Sequence, residues 1–219
     1  MKEKAIIFDL DGTLLDSLTD IAICANIVLK EFNLPTHEIE DYKNFVGGGA
    51  EILIRNCTPK STTEEDILKL LKRFKEVYED NLHSSTKPYE GIYELLDLLK
   101  KHHIKIGVLS NKPHEFTLKY IDKFFKDYPI LEPHGQKKEV PKKPDPTAAI
   151  NIAKALEVES HNVFFIGDTD VDMQTAKNSK MIAVGVKWGF RDEAELLENG
   201  ADYIVSHPVE IFKLLNIEV

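Results

Sequence analysis

Five apolar segments, residues 4–10, 104–110, 163–167, 182–186 and 202–205, read as buried strands, with a weaker one near 128–131. Helical patterns lie between them. Ile92, Leu95, Leu96 and Leu99 recur at i, i+3, i+4 and i+7, as do Ala149, Ile152, Ala153 and Leu156. Asp145-Pro146 opens the second of these with a cap and a first-turn proline. Strands that are apolar throughout, rather than alternately, have both faces covered, so the pattern predicts an α/β protein with a parallel sheet between helical layers.

One interval breaks the alternation. From Asp16 to about Leu82 there is no good strand, only helical signal. Leu18, Ile21, Ala22, Ala25 and Leu29 form one apolar stripe, and Ile67, Leu68, Leu71, Phe74 and Val77 or Tyr78 form another. Overlapping capping-box patterns in residues 61–66 precede the second. A crossover between parallel strands needs only one helix, so this interval predicts an α-helical cap inserted into a Rossmann-like core. The expected boundaries are residues 1–16 and 83–219 for the core and 17–82 for the cap, with residues 83–89 as the hinge back.

Composition narrows the classes. The 219 residues carry a net charge of −9, which disfavours nucleic-acid or anionic-membrane partners and suits an acidic site that recruits a metal. Cys24 and Cys57 alone make no disulfide framework, so a reducing, cytoplasmic setting is expected. The N-terminal apolar run is interrupted by Asp9, which argues against a signal peptide or a membrane span.

The candidate chemistry lies at the carboxyl ends of the strands. Asp9 and Asp11 follow the first one, and residues i and i+2 of a strand point to one side. Two carboxylates held close repel each other, which suggests a hard cation, or one acid held protonated. Ser110 and Asn111 end the second strand with groups able to hold a phosphate oxygen. Lys143 lies in the turn before a later helix, and Asp168, Asp170 and Asp172 follow the strand at 163–167. Each has a plain structural reading as a turn residue, helix cap or solvated lysine. Four together at the edge where open α/β sheets bind ligands favour a metal-assisted phosphoryl-transfer site.

Asp9-Leu10-Asp11-Gly12-Thr13, Ser110-Asn111, Lys143-Pro144 and Gly167-Asp168 with Asp172 resemble the four motifs of the haloacid dehalogenase (HAD) superfamily, in order and across nearly the whole chain. The helical insertion resembles that superfamily's cap of the first type. Phe45-Val46-Gly47-Gly48-Gly49, Tyr89-Glu90-Gly91 and Gly185-Val186-Lys187-Trp188-Gly189 are similar to segments of its phosphoglycolate phosphatase branch.

The resemblance implies that Asp9 attacks phosphorus and that Asp11 protonates the leaving oxygen and later activates water. It implies Mg2+ held by Asp9, the Asp11 main-chain carbonyl and Asp168, with Asp172 acting through water. Ser110 and Lys143 would hold the phosphoryl oxygens, with Thr13, Asn111, Gly47 and Gly48 on the substrate side. Asp11 separates the chain from dehalogenases proper, and Thr13 from the mutase branch.

The expected partner is a small phosphorylated metabolite, 2-phosphoglycolate among the candidates, bound by a monomer or homodimer. Pyrophosphatase, nucleotidase, sugar-phosphate phosphatase and phosphomutase are alternatives within the superfamily. A phospho-aspartate receiver is the alternative of another class, but receivers are shorter and lack a helical insertion. His102-His103 and Lys137, Lys138 and Lys142 read as surface groups, and Trp188 as packing. Three consecutive glycines at 47–49 suggest backbone in close approach to the site, with Arg55 or Lys43 as charges that surface solvation explains as well.

Overall fold

The computed structural model describes residues 3–81 and 85–216. Leu82, His83 and Ser84, and with them the start of the expected hinge, lie outside the described residues.

The strands are β1 (Ala5–Phe8), β2 (Leu15–Asp16), β3 (Lys87–Pro88), β4 (Lys105–Pro113), β5 (Ile130–Gln136), β6 (Val163–Gly167), β7 (Ile182–Val186) and β8 (Tyr203–Val205). Six form one parallel sheet in the order β5-β4-β1-β6-β7-β8. The chain leaves β1 to one side, builds β4 and β5, then returns to the other side with β6. The reversal therefore falls beside β1, where open sheets leave a crevice at their carboxyl edge.

Along β1 successive side chains go to opposite layers. Ile6 and Phe8 join one buried cluster, while Ala5 and Ile7 join another. The first cluster holds apolar side chains of α1 (Leu18–Glu31), α4 (Ile92–Lys101), α5 (His114–Phe125) and α9 (Pro208–Leu214). The second holds those of α6 (Thr147–Ala155), α7 (Asp170–Asn178) and α8 (Glu193–Glu198). Both faces are covered, which is why the central strands β1, β6 and β7 carry no polar side chain. Pro146 stands one position ahead of the expected first turn, at the N-cap of α6, and Asp145 Oδ1 accepts from the Thr147 amide at 2.9 Å.

Between β2 and β3 the described chain is helical: α1, a 3-10 turn at Ile39–Asn44, α2 (Ala50–Cys57) and α3 (Glu64–Asp80). The stripe on α1 is buried as expected. On α3 it runs through Ile67, Leu70, Phe74, Val77 and Tyr78, and Leu68 faces solvent at 61% exposure. Leu68, expected on the stripe, follows Ile67 directly and turns off its face, whereas Leu70, three after Ile67 and four before Phe74, keeps the buried face in line and Leu71 is partly buried beside it. Thr63 caps α3, its side chain accepting from the Asp66 amide. None of the described helices is long and apolar enough to cross a membrane.

The two connections between the helical segment and the sheet form a short antiparallel ribbon, Leu15 opposite Pro88 and Asp16 opposite Lys87. Neither strand was legible as one, being only two residues long. Asp20, on α1 and 1% exposed, fastens the returning connection: it accepts from the amides of Ser85 and Thr86 and from the Thr86 hydroxyl at 2.5–3.1 Å. Removing that carboxylate leaves the two buried donors of Thr86 unpaired, each costing roughly 1–3 kcal/mol. Asp20→Ala is expected to lower unfolding free energy by about 2–4 kcal/mol in a urea titration. A loss under about 0.5 kcal/mol would show that these bonds are not what fastens the segment.

Candidate active site

Asp9 follows β1 directly, its amide donating to the Ile166 carbonyl of β6 at 2.8 Å. The chain then turns tightly, with the Gly12 amide on the Leu15 carbonyl at 2.8 Å and Gly12 at φ +89°. A Cβ at Gly12 would overlap the Asp168 carboxylate, so glycine serves here both conformation and clearance. This turn brings the first motif against the loop after β6.

Asp9, Asp168 and Asp172 converge, each offering an oxygen within 4.8 Å of the others. All three are buried, at 6%, 0% and 0% exposure. Lys143 Nζ bridges two of them, 2.7 Å from Asp9 Oδ1 and 2.6 Å from Asp172 Oδ1. Asp172 Oδ2 is the N3 carboxylate of the capping box of α7. It accepts from the Thr169 amide at 3.0 Å, the Thr169 hydroxyl at 2.7 Å and the Asp168 amide at 3.2 Å. Asp172 is therefore both the helix cap and the anchor for Lys143. Asp168 accepts from Thr13 Oγ1 and from the Phe190 amide, both at 2.9 Å.

One lysine does not neutralise three buried carboxylates. Burial, reinforced by Asp172 and Asp11 and opposed by Lys143, raises the Asp9 carboxyl to about 7. Burial, with Asp172 and Asp9, pushes Asp168 well above the usual carboxylate range. Burial pulls the Lys143 ammonium down, but Asp172 and Asp9 more than offset it and hold the lysine charged. A divalent cation fits this place. The donors are all oxygens, Asp168 is already oriented by Thr13 and Phe190, and Asp9 Oδ2 has no hydrogen-bond partner among the described residues.

Asp9, Asp11, Ser110 and Asn111 line one cavity together with Val46, Gly47, Gly49, Ala50, Leu53, Phe74 and Lys75 from the helical segment. Asn111 joins several parts. Its amide nitrogen donates to the Gly47 carbonyl at 3.1 Å and the Lys143 carbonyl at 3.2 Å, and its oxygen accepts from the Lys143 amide at 2.9 Å. Thr13 is fully buried with its hydroxyl on Asp168, so it orients a carboxylate instead of facing the cavity. Gly48 is not among the lining residues, and a Cβ there would meet Ile52. Lys43 and Arg55 sit in exposed ion pairs, with Glu40 and with Glu51 and Glu64, away from the cavity.

Some contacts escaped the sequence reading. Lys142, expected to be solvated, donates to the Gly48 carbonyl at 3.0 Å. Arg191 donates to the carbonyls of Lys43 and Val46, so the loop after β7 grips the glycine segment from the other side. Trp188 Nε1 donates to the Thr13 carbonyl at 3.0 Å and holds the turn of the first motif. His102 is half-buried on Phe212 instead of lying on the surface. Lys112 pairs with Asp11, and no spacing rule marks it beyond its place after Ser110-Asn111.

The profile of the haloacid dehalogenase-like hydrolases matches residues 6–186. The chain is 31% identical over 218 residues to the phosphoglycolate phosphatase of Aquifex aeolicus, covering 97% of each chain. It is 30% identical over 219 residues to that of Mannheimia succiniciproducens, covering 97% of this chain and 98% of the relative. Among solved structures it superposes on a predicted phosphoglycolate phosphatase from Haemophilus somnus with a TM-score of 0.89, at 26% identity and 98% coverage of both chains.

The raised Asp9 carboxyl has a consequence for stability. The folded protein holds a proton there up to about pH 7 that the unfolded chain releases near 3.8. That contribution is fully present below pH 3.8 and is lost as pH rises through 7. A cation that binds the ionised carboxylate restores what is lost. Magnesium is therefore expected to raise Tm, relative to chelator, several degrees more at pH 8 than at pH 5. An equal increment at both values, in a thermal melt followed by circular dichroism, would contradict a metal on Asp9.

Proposed function

The chain belongs to the haloacid dehalogenase-like hydrolases, and on that premise we propose that it is a magnesium-dependent phosphatase of a small phosphorylated metabolite, with 2-phosphoglycolate as the favoured substrate. The observation that carries this reading is the placement of Asp9. One of its oxygens is tied to Lys143 while the other has no hydrogen-bond partner among the described residues, and it shares a cavity with Asp11 and Ser110.

A carboxylate oxygen of Asp9 attacks phosphorus, the bond from phosphorus to the ester oxygen breaks, and that oxygen takes a proton from Asp11. A water then attacks the phosphorus of the aspartyl-phosphate, giving its proton to Asp11, and the bond to Asp9 breaks to release inorganic phosphate. Ser110 and Lys143 hold the phosphoryl oxygens, and Lys143 remains anchored by Asp172 as charge moves away from Asp9. Asp9, the Asp11 carbonyl and Asp168 would hold magnesium, with Asp172 acting through water, and bound magnesium would offset the negative charge gathered on the phosphoryl group.

The helical segment, residues 17–82, acts as a cap over the carboxyl edge and excludes water from the phosphorus. Its Gly47 and Gly49 bring backbone to the cavity wall. Lys75, on α3 and without an ion pair among the described residues, is the cation positioned for a substrate carboxylate. The names of the relatives support 2-phosphoglycolate, and net charge and reduced cysteines support action on a small molecule in the cytoplasm.

Phosphate release from a panel of phosphorylated metabolites tests the assignment. Activity should vanish in excess chelator and return with magnesium, and calcium should inhibit because its looser coordination can draw both Asp9 oxygens onto the metal. Asp9→Asn should lose at least about a thousandfold in kcat with its Tm retained. A few per cent of wild-type turnover in that variant, or full activity in chelator, would contradict the mechanism. A highest kcat/KM on another ester would replace the substrate alone.

A further inference from the structure

The steps above leave one buried cation without a task. Lys112 lies near the end of β4, two residues after Ser110, with its side chain 5% exposed. Its Nζ lies 3.1 and 3.0 Å from the two oxygens of Asp11 and 2.8 Å from the Tyr78 hydroxyl. It also stands 4.6 Å and 4.8 Å from the ring centroids of Tyr78 and Tyr120, whose hydroxyls are 2.8 Å apart. The aromatic faces take the place of water around the ammonium. These partners come from three parts of the fold: Asp11 from the turn after β1, Tyr120 from α5, and Tyr78 from α3 of the helical segment.

Such a lysine could either contact the substrate's anion or fix Asp11. An ammonium has three donors, and here two go to Asp11 and one to Tyr78. Lys112 and Tyr78 line the cavity of Asp9 and Ser110, but contact with substrate would take one of these bonds away from Asp11 or Tyr78. Asp11 itself is asymmetrically held. Oδ1 accepts from Lys112 and from Ser17 Oγ at 2.6 Å, whereas Oδ2 accepts, among the described residues, from Lys112 alone. Oδ1 is the tethered oxygen, and Oδ2 is the one freer to serve the substrate.

We propose that Lys112 is a positioning residue that fixes the Asp11 carboxylate, and that Tyr78 makes this fixing depend on the helical segment being seated over the sheet. Tyr78 is carried by α3, so withdrawal of the segment would take from Lys112 the hydrogen bond to the Tyr78 hydroxyl. Asp11 would then be correctly held only over an enclosed substrate. This inference rests on the phosphatase reading, with Asp11 as the group that protonates the leaving oxygen.

The test compares kcat/KM on ethyl phosphate, whose leaving oxygen needs a proton, with p-nitrophenyl phosphate, whose leaving group departs without one. This parameter reports the steps through cleavage of the ester bond. Lys112→Met should lose at least about tenfold more on ethyl phosphate than on the aryl ester, and Tyr78→Phe about threefold more. Equal losses on both esters would make Lys112 a merely structural residue and overturn the proposal. A raised KM with unchanged kcat on both would make it a substrate contact and overturn it as well. Should Lys112→Met not fold, Tyr78→Phe, which removes a single oxygen, decides by the same ratio. A wild-type enzyme that releases phosphate from neither ester nor from any metabolite of the panel would remove the phosphatase reading and this inference with it. An active wild type with equal losses in the variants would remove this inference alone.

Discussion

Three carboxylates, Asp9, Asp168 and Asp172, are buried together around one lysine, and much of the carboxyl edge is arranged to hold them there. Left to themselves they would repel and take up protons, as the upward displacement of Asp9 and Asp168 indicates. The fold resists this with fixed donors. The capping box of α7 satisfies one oxygen of Asp172, and Thr13 and the Phe190 amide satisfy Asp168. Lys143 supplies the positive charge beside them, held by Asp9 and Asp172, and its backbone is pinned on both sides by Asn111. Such a cluster costs folding energy that the two apolar layers of the sheet offset, and it holds the acids ready for a cation and a phosphoryl group.

The helical segment is held to this cluster by polar clasps at several points. Asp20 fastens the returning connection, while Asn111, Lys142 and Arg191 hold carbonyls of the segment from Lys43 to Gly48. Hydrogen bonds to backbone carbonyls can be exchanged for water at small net cost, unlike a continuous apolar interface. That is suitable hardware for a cap that opens and closes around substrate. The same apolar cluster nevertheless extends from Ile6 and Phe8 of the sheet into Leu53 and Phe74 of the segment, which favours the seated arrangement.

The sheet and its carboxyl-end acids were legible because both obey short-range rules. A strand buried on both faces is apolar at every position, and its first polar residues mark where it ends, as at Asp9 and Asp168. The strand at 128–131 was read weakly because β5 carries Glu132, His134 and Gln136 on a half-buried edge. The ribbon of β2 and β3 is too short to leave a periodic signal. Within the site, residue type and order pointed to Asp9, Lys143 and Asp172, which the fold brings into contact. The task of Thr13 was not legible, because whether its hydroxyl meets a substrate or Asp168 depends on a partner 155 residues away. Lys112, Lys142 and Arg191 escaped for the same reason: a cationic side chain shows no partner in the sequence until the tertiary structure supplies Asp11 or a carbonyl.

The central claim is that Asp9 becomes phosphorylated at its carboxylate. An acyl phosphate is reduced by borohydride to an alcohol, whereas a free carboxylate is not. Quenching the enzyme during turnover, reducing with borodeuteride and sequencing its peptides by mass spectrometry should find homoserine at position 9, only in the presence of substrate and not in Asp9→Asn. Full turnover with Asp9 unmodified, or with the label at another carboxylate, would contradict the account.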